Sequence, residues 1–152
     1  MDRREVPFKY RLAGLLRVDT WEGTLLGVEL RRARAVLEER KRLHAEALQR
    51  VAAAEAEMRD MHRIDAPLSL AKRQLVASYL EAQYGDAAKR SAAVAQAQAL
   101  FEQILVQRQA KQQRIRALEK HEDRQRRAHA VEQERADSRE GDDRWLARRN
   151  ER

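Results

Sequence analysis

The chain has 152 residues, of which 38% are charged and 5% aromatic, with only 5 glycines and 2 prolines. This composition is typical of coiled coils and long helices, and it argues against a compact globular domain. The formal net charge of +7 fits an acidic protein, nucleic acid or a membrane surface, and the absence of cysteine excludes disulfides and cysteine nucleophiles. No apolar run is long enough to span a bilayer, and Met1 leads into no signal-peptide core. We therefore expect a cytoplasmic protein without membrane insertion.

A helical pattern starts at Phe8 and continues without proline to a short break at residues 61–70. Pro67 has no N–H to donate and its ring clashes with the preceding turn, so a helix ends before it or begins at it. Asp65 or Ser69 can then cap a second helix. We predict an all-α fold, a long antiparallel two-helix coiled-coil hairpin with a longer second helix. The predicted bounds are helix 8–64, turn 65–69, helix 70–140 and a tail at 141–152, ordered or disordered, in a single domain over 1–152.

The hairpin can be tested on the sequence by asking whether one pairing register matches the apolar positions of both arms. Apolar positions on the first arm recur at alternating spacings of three and four, as a coiled-coil seam requires. Folding the chain back at Pro67 sets them against a second heptad series, with large residues facing small ones near the centre. The first-arm positions are Leu16, Asp19, Gly23, Leu26, Leu30, Ala33, Leu37, Arg40, His44, Ala47, Val51, Ala54 and Met58. The facing residues, in the same order, are Leu118, Ile115, Lys111, Arg108, Ile104, Phe101, Ala97, Val94, Arg90, Ala87, Gln83, Leu80 and Val76.

Charged residues interrupt this seam at several positions, among them Asp19, Arg40 and Lys111. We expect the long basic side chains to lay their methylene groups along the seam and to keep their charges in water. Beyond Leu118 the apolar pattern thins, and the mixed charges favour a solvated helix that Gly141 ends or kinks.

The last residues hold Trp145 and Leu146 alone among charges. Trp and Arg are favoured anchors at protein interfaces, so this tail is a candidate docking element. The alternative is that Trp145 packs back on Phe8 or Leu12, and the sequence leaves both open.

No enzyme signature is present in the chain. It has no Gly-rich phosphate loop with its lysine, and its four histidines show no metal-ligand spacing. A two-helix hairpin also offers no enclosed pocket to shift the pKa of a carboxylate. We expect a protein that is not an enzyme and that uses no cofactor or metal.

Four features share a pattern with a known family: F-K-Y-R-L-A-G-L-L-R at 8–17, the break at Pro67, L-V-A-S-Y-L-E-A-Q-Y at 75–84, and an ending of acidic residues, an aromatic and basic pairs over 142–149. In these, and over nearly its whole length, the chain resembles the FliJ/YscO proteins of flagellar and virulence type III secretion. It departs in lacking tyrosines late in the first helix, which the flagellar branch often carries, and in a shorter connection. The branch therefore stays open.

The resemblance implies a coiled coil similar to the central stalk of rotary ATPases. Family members are not the ATPase; their terminal end enters the pore of the hexameric export ATPase and promotes its assembly and activity. The hairpin end is expected to face the export gate in the inner membrane, and some members bind unloaded substrate chaperones. The candidate ATPase contacts are Arg11, Arg17, Arg144, Trp145, Arg148 and Arg149. The candidate export-gate contacts are Met61, Tyr79, Leu80 and Tyr84.

Simpler interpretations stay open for both sets. The arginines can form an ordinary solvated face, and the aromatics can pack beside the seam, which for Leu80 is the stronger interpretation. Two other functions remain as alternatives. A basic coiled coil can bind nucleic acid, although here basic residues mix with acids instead of forming a contiguous stripe. A generic scaffold can dimerise through arms exchanged between chains.

Overall fold

The computed structural model of the chain describes residues 7–63 and 70–150. Two helices account for nearly all of them: α1 spans Ala13–Arg63 and α2 spans Leu70–Asn150. The helices pack against each other and α2 is the longer, so the predicted all-α helical hairpin is confirmed. The predicted turn at 65–69, with Pro67 and its capping candidates, lies outside the described residues.

Both helices run through two compact units. Unit 1 comprises Met1–Thr24 with Gln109–Arg152, and unit 2 comprises Leu25–Arg108. The buried apolar side chains of the described residues all belong to unit 2, and most of them are alanines, which allow two helix backbones to approach closely. They are Ala33, Leu37, Ala47, Val51, Ala54 and Ala87.

The predicted seam agrees with the burial of the side chains within each unit. Every predicted seam position except Arg40 is buried or half-buried. In unit 2, Ala47 and Ala87 face each other in the predicted register and belong to one buried cluster. In unit 1, a Cβ atom added to Gly23 would lie 3.7 Å from Cγ of Lys111, its predicted facing residue. Heptad spacing alone therefore located the contact surfaces correctly.

The segment before α1, residues 7–12, is not helical, although the sequence predicted helix from residue 8. Phe8 and Tyr10 are half-buried while Lys9 between them is exposed. An extended chain places alternate side chains on one face, so both aromatic rings reach α2, whereas a helix would turn one away. The period of this segment is thus two, and α1 begins at Ala13, whose N–H bonds to the Tyr10 carbonyl at 3.2 Å.

Two histidines of α2 hold this segment in unit 1. The Tyr10 hydroxyl donates to the Leu118 carbonyl and lies 3.0 Å from Nδ1 of His121. The phenol has a single proton, so both contacts are hydrogen bonds together only in the tautomer in which Nδ1 of His121 donates to the phenol oxygen. The Phe8 ring meets the edge of His129 at 5.7 Å, and the Arg126 guanidinium lies 5.6 Å from the centre of the Phe8 ring.

The helix α2 continues beyond its predicted end near residue 140. It passes through Gly141 without a break and ends at Asn150. An ion pair between Arg144 and Glu140, one helical turn apart, spans the glycine and supports the turn. The order or disorder of residues 141–152 before a partner binds stays open, as in the sequence prediction.

Candidate interaction surfaces

The C-terminal part of α2 exposes every described side chain from Glu134 to Leu146. Trp145 is 60% exposed, and the Arg149 guanidinium lies 5.1 Å from the centre of its ring, within the range of a cation–π contact. Phe8 meanwhile packs on His129, so the structure does not bear out the alternative in which Trp145 covers Phe8. The side chain of Arg148 lies outside the described residues.

The other two candidate ATPase contacts, Arg11 and Arg17, are exposed at the beginning of the chain. Arg11 lines an open groove of about 520 Å³ with Glu132 of α2. Arg144 is twelve residues further along α2, which corresponds to roughly 18 Å of helix. The six candidate residues therefore do not form a single patch, and the basic residues at the two ends of the chain are separate surfaces.

The candidate export-gate residues lie in unit 2. Met61 and Leu80 are half-buried, and Leu80 occupies a seam position, as its simpler interpretation required. Tyr79 and Tyr84 are both about half exposed. Tyr84 is five positions after Tyr79 along the helix, a rotation of about 140°, so the two flank the seam on opposite sides and do not share a face.

Polar contacts between α1 and α2 also lie in this part of unit 2. The Tyr84 hydroxyl donates to the Glu55 carboxylate, and this hydrogen bond is the main reason that the pKa of Tyr84 is raised. Asp86 accepts hydrogen bonds from Arg90 at 2.8 Å and from Arg50 at 2.9 Å. These two bonds, that of Arg90 first, hold the pKa of Asp86 below its ordinary value.

The most buried charge of the described residues is Asp19, which is 2% exposed in unit 1. Nζ of Lys111 lies 3.0 Å from Oδ1 of Asp19 and 2.6 Å from a carboxylate oxygen of Glu22. Nε of Arg114 lies 2.8 Å from Oδ2 of Asp19, an ion-pair approach without hydrogen-bond geometry. A buried carboxylate is stable only with such compensation. Hydrogen bonds to Glu22 and then to Asp19 raise the pKa of Lys111.

Sequence reasoning missed this charge cluster, defined as Asp19, Glu22, Lys111 and Arg114. The prediction that seam cations keep their charge in water is wrong for Lys111, whose side chain is 19% exposed and bound to two carboxylates. The sequence does contain a pattern that could have predicted the cluster, because the predicted register places Asp19 and Lys111 in adjacent layers of the seam. Opposite charges in adjacent layers attract each other more strongly when both are largely covered than they would in water.

Groups that could support other chemistry are sparse. In residues 7–63 and 70–150, no three His, Asp or Glu side chains come together in a way that could hold a metal ion. No helix in these ranges carries an apolar stretch that would cross a bilayer.

Comparison with known proteins adds no relative: no protein-family model, curated protein or solved structure matches the chain significantly.

Proposed function

We propose that this chain is a non-enzymatic central-stalk component of a type III secretion export apparatus, flagellar or virulence. It inserts into the hexameric export ATPase, promotes its activity, and couples it to the export gate. It acts in the cytoplasm, peripheral to the inner membrane, and escorts substrate chaperones as some FliJ/YscO proteins do. The observation that carries the proposal is the helical hairpin with a longer second helix, together with the FliJ/YscO-like stretches at 8–17, 75–84 and 142–149.

The exposed end of α2 is the element that enters the ATPase pore. A single helix is about 10–12 Å wide with its side chains, which suits a narrow channel. Trp145 supplies a large apolar surface, and Arg149 stacked on it supplies a cation for an acidic pore lining. Arg144 reaches the same lining after it exchanges Glu140 for a partner carboxylate.

The test is hydrolysis by the export ATPase with and without the purified chain. We expect stimulation by the full chain, and loss of most of it on deleting residues 142–152 or on replacing Arg144, Trp145, Arg148 and Arg149 by alanine. The matched control replaces Arg31 and Arg34, exposed arginines of α1, by alanine and should stimulate like the parent. An ATPase that neither responds to the chain nor co-migrates with it would contradict the proposal.

The export-gate contacts are assigned to Met61, Tyr79, Leu80 and Tyr84 of unit 2. Tyr79→Ala and Tyr84→Ala should each weaken binding to the gate protein. Because the two tyrosines flank the seam on opposite sides, each variant isolates one flank. Binding and secretion that survive the double variant would exclude this part of the assignment without touching the ATPase contact.

A further inference from the structure

One flank of the seam in unit 2 is apolar where a two-helix coiled coil is ordinarily charged. The ion pair between Arg50 and Asp86, 2.9 Å apart, marks two flanking positions that face each other across the seam. One heptad away, towards the start of α1 and the end of α2, the facing residues are Leu43 and Ala93. One heptad further they are Val36 and Leu100. Flanking positions of this kind typically carry Glu or Lys.

These four residues, which we name the flank strip, are accessible. Val36 is 48% exposed and Leu100 is 51% exposed, and both line a groove of about 240 Å³. Leu43 and Ala93 are half-buried. The floor of the groove is formed by Ala33, Ala97 and Ile104. An uncovered apolar strip over two successive layers, bounded by charges, is typical of an interaction surface.

The charges at the ends of the flank strip determine its occupant. On α1 the next flanking residues are Glu29 at one end and Arg50 at the other, each one heptad beyond the strip. A half-turn about an axis across α1, midway between Val36 and Leu43, exchanges these two positions. Glu29 of one copy then meets Arg50 of the other at both ends. Arg50 already donates to Asp86 through one Nη atom, and its remaining N–H groups can bind Glu29, so the surface is complementary to itself.

The same half-turn matches the apolar residues. It sets Val36 against Leu43 of the second copy, and Ala93 against Leu100 of the second copy, a small side chain against a large one. Leu43 of the second copy thereby lies over the groove that Val36 and Leu100 line. A partner with an unrelated sequence would need all of these matches by chance.

We propose that the flank strip binds a second copy of this chain, giving an antiparallel four-helix arrangement in which α1 packs on α1 and α2 on α2. This interface is distinct from an exchange of arms, because each hairpin keeps its own seam. It is also independent of the stalk function, since it uses neither the end of α2 nor the tyrosines.

Directed cross-linking is the sharpest test, because the chain has no cysteine of its own. Val36→Cys chains mixed with Leu43→Cys chains should form a mixed disulfide on mild oxidation. Either variant alone should form far less, because two copies of position 36 lie about 10 Å apart along the helix, beyond disulfide reach. Ala45→Cys, an exposed position elsewhere on α1, is the matched control.

Sedimentation equilibrium provides a second readout. The parent mass should rise with concentration from 17.7 kDa towards twice that value. Glu29→Arg alone places like charges at both ends and should weaken association about tenfold or more. Arg50→Glu does the same but also sets a second carboxylate beside Asp86 of its own hairpin, so Glu29→Arg is the cleaner variant. The double variant should restore it, while circular dichroism shows unchanged helix content. A mass that stays at 17.7 kDa up to about 1 mM, or association without the 36–43 cross-link, would overturn the proposal.

Discussion

Asp19 and Lys111 show how one buried charge shapes the chemistry of unit 1. The Asp19 carboxylate is almost fully buried, and Nζ of Lys111 donates one hydrogen bond to Asp19 and another to Glu22. Removing one partner of such a cluster leaves the others uncompensated, which costs more than the pair contributes when intact. Gly23 leaves room for Ile115 here, since a Cβ atom at this position would lie 3.3 Å from Cδ1 of Ile115, whereas Cγ of Lys111 at 3.7 Å would be in ordinary van der Waals contact.

The raised pKa of Lys111 gives a prediction for alkaline pH. A lysine whose pKa is higher in the folded chain stabilises the fold fully below its unfolded value of 10.5, and that contribution is lost as pH rises through the folded pKa. Tyr10 acts with the same sign, because burial, and then the charge of Glu122, raise its pKa above 10.0. The melting temperature should therefore fall between about pH 10 and 12.

Thermal melts followed by circular dichroism check this expectation. Lys111→Met should melt lower than the parent at pH 8 and should lose less on going to pH 12. Lys120→Met, an exposed lysine on the same helix, is the control and should follow the parent curve. Parallel curves for the parent and Lys111→Met would show that Lys111 does not contribute to the alkaline loss.

At the scale of the element, α2 holds a continuous helix through two glycines. Gly85 and Gly141 have no atom within 4 Å of an added Cβ, so neither glycine is required by packing. Each weakens the helix through the backbone freedom that it keeps in the unfolded chain. Gly23 of α1 differs, because its missing side chain makes room for Cδ1 of Ile115.

Alanine substitution should separate these two kinds of glycine. Gly85→Ala should stabilise the fold by about 1 kcal/mol, a rise of roughly 2–4 °C in melting temperature. Gly23→Ala should gain clearly less, because Cδ1 of Ile115, 3.3 Å from the new atom, must shift. Equal gains in stability at the two positions, measured by thermal or urea unfolding, would show that the seam at Gly23 accommodates a methyl group without cost.

At the scale of the whole molecule, basic and acidic residues are mixed along both helices. Several of the basic side chains lie one helical turn from a carboxylate that binds them, as Arg42 does with Glu39 and Glu46, and Arg126 does with Glu122. Such pairs contribute little stability each at the surface. They do lower the positive potential of the surface, because each carboxylate offsets the charge of the basic side chain beside it, and a phosphate backbone is bound through a contiguous positive stripe.

Duplex DNA therefore should not be a ligand. We expect no binding at about 0.15 M salt tighter than the 10⁻⁴ to 10⁻⁶ M range of non-specific association, and a shallow dependence on salt. Fluorescence anisotropy with a labelled duplex, titrated between 50 and 200 mM salt, measures both quantities. Submicromolar binding with a steep salt slope would favour the basic coiled-coil alternative over the secretion stalk.

The sequence predicted the seam because heptad spacing and the proline break are local signals. Ala47 and Ala87, forty residues apart, could be paired from their heptad positions alone. The segment at Phe8 and Tyr10 was predicted incorrectly because the spacing of four from Phe8 to Leu12 also fits a helical repeat. The end of α2 was missed because Gly141 is a frequent helix terminator, and only its surroundings show that it is tolerated here.

The charge cluster in unit 1 also limits how the hairpin can misfold. Heptad repeats tolerate slippage, since moving one arm by seven residues preserves the apolar pattern. A slip in one direction would replace Lys111 and Arg114 beside Asp19 by Ile104 and Gln107, and in the other by Leu118 and His121. Neither pair supplies two cations to a covered carboxylate. Asp19 therefore specifies the pairing register of the two helices. It destabilises the out-of-register hairpins that the many alanines of the seam would otherwise allow.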